Sequence, residues 1–500
     1  MLIDFASPLD YFWALLPESV LTVGALALLV YDGFRSGEDN RAIGWGALLA
    51  ILAAAAANFW LMGVREAGPT GMIALDGYRI FTNFLFLGAS ALTILISFDY
   101  AAREGIKQGE FYALLLFAVV GMMVLAGSRD LVLIFIGFEL MSLAVYVLVG
   151  FKIADPRSSE ASLKYFLLGA FSSAFLLYGM ALLFGVGGTT NLGLLRETLD
   201  PSSAGPLTIV AIMLLAIGFG FKVSAVPFHV WTPDAYEGAP TPITAFLAAA
   251  IKAAAFAAFI RIFVVALGDL QPQWERLIWW LAMLTMILPN LIALVQDNIK
   301  RLLAYSSIAH AGYLLVALIA ANESGMASFL FYIVAYTVMI VGAFAVVLVL
   351  AGPGDRRQRI SDYAGLGWTH PWAAAMLSIF LVSLAGLPPT GGFVGKFYIL
   401  RAAVEAGYVN LAIVLALTTL VSYWYYLRVI VTMYMRPAAA PAAPVEWGGP
   451  LRAALAVCAV VTIFLGILPS WPLLKARQSV EGLRHVAERL IDSPPTAARD

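Results

Sequence analysis

One cysteine and four histidines are all that 500 residues offer of the side chains that most often build disulfides and metal sites. A lone Cys458 excludes a disulfide framework, a thiolate zinc site and an iron–sulfur cluster held by this chain alone. It lies inside an apolar run and reads as packing. His229, His310, His370 and His485 are scattered without ligand spacing, so no metal is expected. Charge is scarce too. Asp, Glu, Lys and Arg make up 12% of the residues and balance to −1. With no run of five or six like charges, nothing points to nucleic acid or an anionic partner. There is no glycine-rich phosphate loop and no dinucleotide-binding fingerprint after a strand, so neither NADH binding nor redox chemistry is expected of this chain, and no cofactor. The N-terminus opens with Asp4 and Asp10 in place of a basic segment, so the first apolar run reads as a retained span and not a cleaved signal.

What the sequence has is apolar length. Apolar residues make up 62% of it, and the mean hydropathy is +0.88, too apolar for a soluble globule. Runs of roughly 20 residues recur, each long enough to cross about 30 Å of hydrocarbon. They are continuous and rich in Leu, Ala, Ile and Phe, unlike the alternating ten-residue segments of a barrel. The expected fold is an all-α polytopic membrane protein of about fourteen transmembrane helices. Spans are placed near residues 11–31, 42–62, 80–98, 110–127, 130–150, 162–187, 206–235, 241–266, 276–296, 302–320, 325–351, 371–402, 409–435 and 451–469. With the N-terminus outside, the cytoplasmic loops hold about thirteen Lys and Arg against about six opposite, which favours periplasmic termini. Arg35, Arg41, Arg103, Lys107, Lys300, Arg301, Arg356, Arg357 and Arg359 are among the thirteen. The tail after Pro472 interleaves Lys475, Arg477, Arg484 and Arg489 with Glu481 and Glu488, suiting either a surface amphipathic helix or disorder. The Ala-Pro stretch 437–444 reads as a spacer.

Two spans carry breakers at their middles, Pro227 and Pro233 in one and Leu387-Pro388-Pro389-Thr390-Gly391-Gly392 in the other. Each predicts a discontinuous helix. One alone would suit a packing kink, whereas two in separate halves point to a repeat-built transporter with its ion path at mid-membrane depth. A charge at mid-bilayer costs several kcal/mol, so every buried ionisable residue needs a partner, water or a function. Glu139, Lys222, Lys252, His310 and Lys396 form the candidate path. Lys164, four residues after Glu160, suits a surface pair as well as a channel lining and is second-tier. So is His229, two residues past Pro227, which can satisfy freed backbone groups or relay protons. Arg261 and Arg428 hold their charge at any working pH and can only support a field.

These residues resemble a known family, the antiporter-like membrane subunits of respiratory complex I. The resemblance runs from about residue 14 to 470 and rests on FKVSAVPFHVWTPDAYEGAPTPITAF at 221–246, DNIKRLLAYSSIAHAGY at 297–313 and LAGLPPTGGFVGKFYIL at 384–400. FELMSLAVYVLVG at 138–150, ASLKYFLLGAFSSAFLLYGMALLFG at 161–185 and Lys396 make it most similar to the N type. The resemblance implies two inverted five-helix repeats at 110–266 and 276–435, between a three-helix segment at 1–109 and a last helix and tail at 436–500. It implies that Glu139 pairs with Lys222, that Lys252 and His310 form a central relay, and that Lys396 is the terminal exchange site. It further implies proton translocation in the inner membrane, within a complex whose other parts bind NADH, FMN, iron–sulfur clusters and quinone. Expected partners are the antiporter-like M subunit, small K, J and A type subunits and membrane lipids. Two rival readings are a subunit of a multisubunit cation/proton antiporter and a structural membrane subunit whose buried ions only hold helices together.

Overall fold

The computed structural model of the protein describes residues 2–34, 41–66, 71–199, 201, 205–437 and 447–492, the side chains of 482 and 484–492 excepted. Arg35, the spacer from residue 438 onward and the side chains of Arg484, His485, Glu488 and Arg489 lie outside the described residues.

Among the described residues, thirteen helices are long and apolar enough to cross a membrane. Three come first, α1 (Leu16–Gly33), α2 (Arg41–Leu61) and α3 (Gly77–Arg103). Then follow α4 (Gln108–Gly127), α5 (Leu131–Val149), α6 (Pro156–Gly187) and α7 (Pro206–Val223). A short α8 (Thr232–Gly238) leads into α9 (Thr241–Ala266). The second half holds α10 (Gln271–Ala293), α11 (Ile299–Ala320), α12 (Glu323–Ala351), the short pair α13 (Pro371–Ala385) and α14 (Gly391–Glu405), and α15 (Val409–Met435). After α16 (Gly449–Ile467) comes α17 (Ser470–Asp492). The only sheet among the described residues pairs Leu2–Ile3 with Arg65–Glu66.

Local chemistry sets where these helices start. Asp130, Asp155, Asn298 and Asn322 cap α5, α6, α11 and α12 by accepting from first-turn backbone N–H groups that would otherwise be orphaned. Residues 11–31 are not one span: Pro8–Ala14 is a separate helix, and α1 starts after Leu15. Both predicted breaks are present. α7 ends at Val223, with Ser224 in the left-handed region, and α8 resumes at Thr232. α13 ends at Ala385, with Gly386 also left-handed, and α14 resumes at Gly391. Counting traverses, α7 and α13 enter the bundle from opposite faces, as inverted repeats require. The tail is a helix. Leu473, Ala476, Val480 and Leu483 bury one face of α17, which packs across α12 and α3.

α9, α11 and α12 are the buried centre, nearly without lipid-facing surface. α9 contains two π turns, Leu247–Ile251 and Arg261–Ala266, which apolar periodicity did not announce. α4 and α5 cross at backbone distance, since a Cβ on Gly137 would lie 2.5 Å from the Leu125 nitrogen.

Paired charges tie the three N-terminal helices to one another and to the core. Arg79 Nη2 meets Glu18 Oε1 at 2.7 Å and also donates to the Ala14 carbonyl. Arg261 grips Asp76 at 2.9 and 3.1 Å while its Nε donates to the Ala126 carbonyl. Arg129 pairs with Glu66. Burial alone would raise the Asp76 carboxyl, but the Arg261 guanidinium outweighs burial and holds it at about 2. Because this pKa lies below the ordinary carboxylate value, the stability it confers is present above about pH 4 and is lost as pH falls toward the folded value. Asp76→Asn leaves Arg261 buried without a counter-charge, at a cost on the order of 3–5 kcal/mol. We expect a lower melting temperature of the purified protein at pH 7, read by light scattering, with the gap to wild type closing as pH drops toward 3.

Candidate functional site

Each candidate lysine is buried, and each ammonium is held by neutral dipoles. Lys222, on the last turn of α7, is 1% exposed and donates to Ser142 Oγ at 2.7 Å. Its Nζ lies 5.0–5.1 Å from the ring centres of Phe138, Tyr146 and Tyr165. Such faces attract a desolvated cation by up to about 2 kcal/mol. Lys252 is also 1% exposed and donates to the Ser307 carbonyl at 2.8 Å and to Ser307 Oγ at 2.6 Å. Lys396, 4% exposed on α14, reaches back across the break to the carbonyls of Leu384 and Ala385 at 2.9 and 3.0 Å. These belong to the last turn of α13, the negative end of its dipole. Lys396 Nζ also sits 4.9 Å over the Tyr313 ring.

α11 threads these sites together. Ser307 Oγ, which receives Lys252, also receives the Tyr336 hydroxyl at 2.7 Å. One turn on, His310 shares Nδ1 with the Tyr332 hydroxyl at 2.5 Å and Nε2 with the Tyr426 hydroxyl at 3.1 Å. Tyr426 in turn bonds Ser306. The His310 ring lies against Tyr336 and Tyr313, at 5.1 and 5.4 Å between centres. A row thus runs from Lys252 through Ser307, Tyr336, His310 and Tyr313 to Lys396. Between Lys252 and His310 stand Ser307 and Tyr336, joined by hydrogen bonds as far as Tyr336 and by a ring contact from there.

Two expectations change. Glu139 and Lys222 form no ion pair within 4.0 Å among the described residues, because Ser142, one turn along α5, takes the ammonium instead. Glu139 is half-buried at the edge of the stripe formed by Val132, Ile136, Leu143 and Val147, which α5 turns out of the chain, and its Oε1 has no hydrogen-bond partner. Lys300, expected in a loop, stands in the first turn of α11, fully buried. The second-tier residues lie apart from the row. Lys164 is half-exposed and pairs with Glu160 at 2.7 Å and Asp234 at 2.8 Å, the latter shared with Arg301. His229 is half-buried in the first break. Arg428 donates to the carbonyls of Leu294 and Gln296 past the end of α10.

The sequence reading missed the hydroxyls. Ser142, Ser306, Ser307, Tyr332, Tyr336 and Tyr426 are each nearly or fully inaccessible, and polar atoms in so apolar a helix need partners. The run Tyr305-Ser306-Ser307 before His310 was the available signal. No group of three or more metal-ligating side chains occurs among the described residues.

Residues 128–422 match the family described as NADH:quinone oxidoreductase/Mrp antiporter, TM. A curated relative from Trichlorobacter lovleyi, "NADH-quinone oxidoreductase subunit N", is 44% identical over 469 residues, covering 93% of this chain and 96% of the relative. Another, "NADH-quinone oxidoreductase subunit N 2" of Rhizobium meliloti, is 42% identical over 480 residues, covering 94% and 98%. Among solved structures, a chain of respiratory complex I from Thermus thermophilus with bound aureothin superposes with a TM-score of 0.76 at 34% identity, over 92% of this chain and 98% of that one. A chain of the Mrp complex from a Dietzia species superposes with a TM-score of 0.77 over 94% and 99%, and at 22% identity that likeness is one of fold.

Ser307 is the joint between Lys252 and the His310 network, so its hydroxyl has a measurable role. Ser307→Ala keeps the carbonyl that Lys252 also uses and removes the link to Tyr336. In membrane vesicles we expect NADH-driven proton translocation to fall on the order of tenfold. Complex assembly, checked by co-purification, should be unchanged.

Proposed function

The chain belongs to the NADH:quinone oxidoreductase/Mrp antiporter family, in its subunit N branch, and on that premise we propose that protons cross it along Lys222, Lys252, His310 and Lys396. It is a proton-translocating membrane subunit of NADH:quinone oxidoreductase and works beside other membrane subunits of the complex. One observation carries the path: three lysines and a histidine, each no more than 4% exposed, stand in one membrane bundle with no carboxylate within 4.0 Å among the described residues. A lysine held by hydroxyls, carbonyls and ring faces keeps those neutral partners in either protonation state. It can therefore release and regain a proton. Serine and tyrosine hydroxyls between the sites both accept and donate, which a relay needs.

Glu139 acts on Lys222 through space, with Ser142 between them. A charge arriving near Glu139 from a neighbouring subunit shifts the ammonium of Lys222, and the change passes on toward Lys396. The M type is the neighbour we assign to the α5 side and the small K, J and A types complete the membrane arm; NADH, FMN, iron–sulfur clusters and quinone belong to other parts of the complex. Moving one charge against about 150 mV costs roughly 3.5 kcal/mol, and quinone reduction elsewhere supplies it. The halves at 110–266 and 276–435 are the two repeats, flanked by 1–109 and 436–500. Lys164 and His229 stay second-tier, Lys164 as part of a surface ion cluster with Asp234 and Arg301.

We place the protein in the bacterial inner membrane with both termini periplasmic. The excess of Lys and Arg in the opposite loops supports this orientation. A cysteine introduced at Gly354 should be shielded from an impermeant thiol reagent in intact cells and should label in inverted vesicles. Ready labelling in intact cells reverses the topology.

Lys396 offers the sharpest test of the path. Its ammonium lies against helix-end carbonyls that would suit any fixed cation, so a structural role and a proton-carrying role must be separated. A guanidinium keeps its proton above about pH 12. Lys396→Arg and Lys396→Ala are both expected to depress NADH-driven acidification of vesicles to a similar degree. Near-normal pumping with arginine and none with alanine makes Lys396 a fixed field.

A further inference from the structure

Where α3, α9 and α12 end or begin at one face of the bundle, the structure buries a second polar cluster that the row above does not include. Asp355, in the turn Pro353–Asp355 after α12, is 4% exposed. Its Oδ2 accepts from the Tyr100 hydroxyl at 2.8 Å and from Thr241 Oγ1 at 3.0 Å. Its Oδ1 is buried with no hydrogen bond, the nearest cation being Arg103 at 3.9 Å. A buried carboxylate oxygen with an open lone pair is costly unless something occupies it for part of the time.

The surroundings are charged on every side. From α3 come Arg103 and Glu104, and Glu104 binds Lys152 at 2.7 Å and the Gly354 nitrogen at 3.0 Å. Burial would raise the Glu104 carboxyl, but its bonds to Lys152, Gly354 and Arg103 outweigh burial and lower it, so Glu104 stays an anion. From α11 comes Lys300, fully buried, whose Nζ donates to the Ala239 carbonyl at 2.9 Å. Asp355, Lys152, Glu237 and Arg157 all act on it electrostatically. The side chains of Arg103 and Lys152 are 27% and 13% exposed, so water at this face reaches the edge of the cluster.

The cluster points inward to the central lysine. On α11, Lys300, Ala304 and Ser307 fall at i, i+4 and i+7, one face two turns long, or about 10 Å. Ser307 is the residue that holds Lys252. On α9, Thr241 is followed one turn on by Thr244, whose hydroxyl donates to the Tyr236 carbonyl at 2.9 Å. The Tyr236 hydroxyl lies 3.3 Å from Ser307 Oγ. Thr241 and Thr244 thus sit one turn apart next to Asp355 and the Tyr236 hydroxyl sits at Ser307, with the steps between these hydroxyls left for water to bridge.

We propose that Asp355, with Lys300 beside it, is the site where a proton is taken up from this face for delivery to Lys252. A proton from water binds Asp355 Oδ1 and neutralises the carboxylate. It then moves inward along the hydroxyls and the bridging water to the free amine of Lys252, leaving Asp355 an anion again. The inference rests on the path given above, so the test must fail separately from it. Its rival is a structural plug that fastens α3 to the turn after α12.

Asp355→Asn preserves shape and an acceptor for Tyr100 and Thr241 but cannot take the proton. In inverted vesicles, where this face meets the medium, we expect NADH-driven translocation to fall roughly tenfold and to lose its dependence on medium pH. Asp355→Glu should restore much of both. An assembled Asp355→Asn complex that pumps at the wild-type rate with unchanged pH dependence overturns the proposal. Lys252→Ala is run beside it: normal pumping by that variant rejects the path itself, whereas stalled Lys252→Ala with normal Asp355→Asn rejects only the uptake site. Should Asp355→Asn fail to assemble, Thr241→Val breaks the inward link while sparing the bonds to Tyr100 and Arg103. Slow translocation then supports the proposal, and a wild-type rate overturns it.

Discussion

What governs this bundle is that its central ammonium groups touch no carboxylate among the described residues. Transferring a charge into hydrocarbon is so unfavourable that proteins ordinarily pair it, and this chain does so wherever the charge is fixed. Arg79 with Glu18 closes the first three helices on themselves, while Arg261 with Asp76 and Arg129 with Glu66 fasten them to the core. Lys222, Lys252 and Lys396 are treated differently. A serine hydroxyl and aromatic faces hold the first, one serine holds the second twice over, and two helix-end carbonyls hold the third. A guanidinium that never titrates is given a carboxylate. A lysine that must titrate is given dipoles that tolerate both of its states. Loss of the proton from a paired lysine would strand an anion, and loss from a dipole-held one strands nothing.

The broken helices serve the same end. Lys222 precedes its break and Lys396 follows its own, so in sequence the two halves look mismatched. In three dimensions both stand at the C-terminal end of the first half-helix, Lys222 carried on the last turn of α7 and Lys396 reaching across to the last turn of α13. The break frees carbonyls, and the lysine uses them or the field they create. α7 and α13 enter from opposite faces, so the two arrangements are related by inversion even though the residues occupy different helical positions.

Much of this was legible in the sequence, for definable reasons. Apolar run length fixed the spans, prolines fixed both breaks, and the scarcity of charge made each buried lysine conspicuous. Three things were not legible. The partner of Lys222 was expected to be Glu139, because sequence shows which charges are near in the chain and not which way a helix face turns; Ser142 stands closer. The short polar loop before α11 hid the burial of Lys300, since a lysine at a helix start usually reaches water and this one is roofed by the turn that carries Asp355. The serines and tyrosines that connect the row have no charge to make them stand out, and only packing reveals which of the many hydroxyls face one another. The π turns in α9 were equally silent, because a π turn changes residue spacing by one and leaves hydropathy untouched.

Those π turns have an evolutionary consequence. Leu247–Ile251 immediately precedes Lys252, so the direction in which that lysine points depends on the number of residues wound between Thr241 and it. Winding these same residues as regular α helix, with none deleted, would remove the turn that absorbs one extra residue and would swing Lys252 by about 100° relative to the start of the helix. Ser307 would then be out of reach. Loss of one alanine together with the π turn would instead leave Lys252 pointing nearly where it does, so a one-residue gap at Ala248–Ala250 is the single change of length this stretch should accept among its relatives.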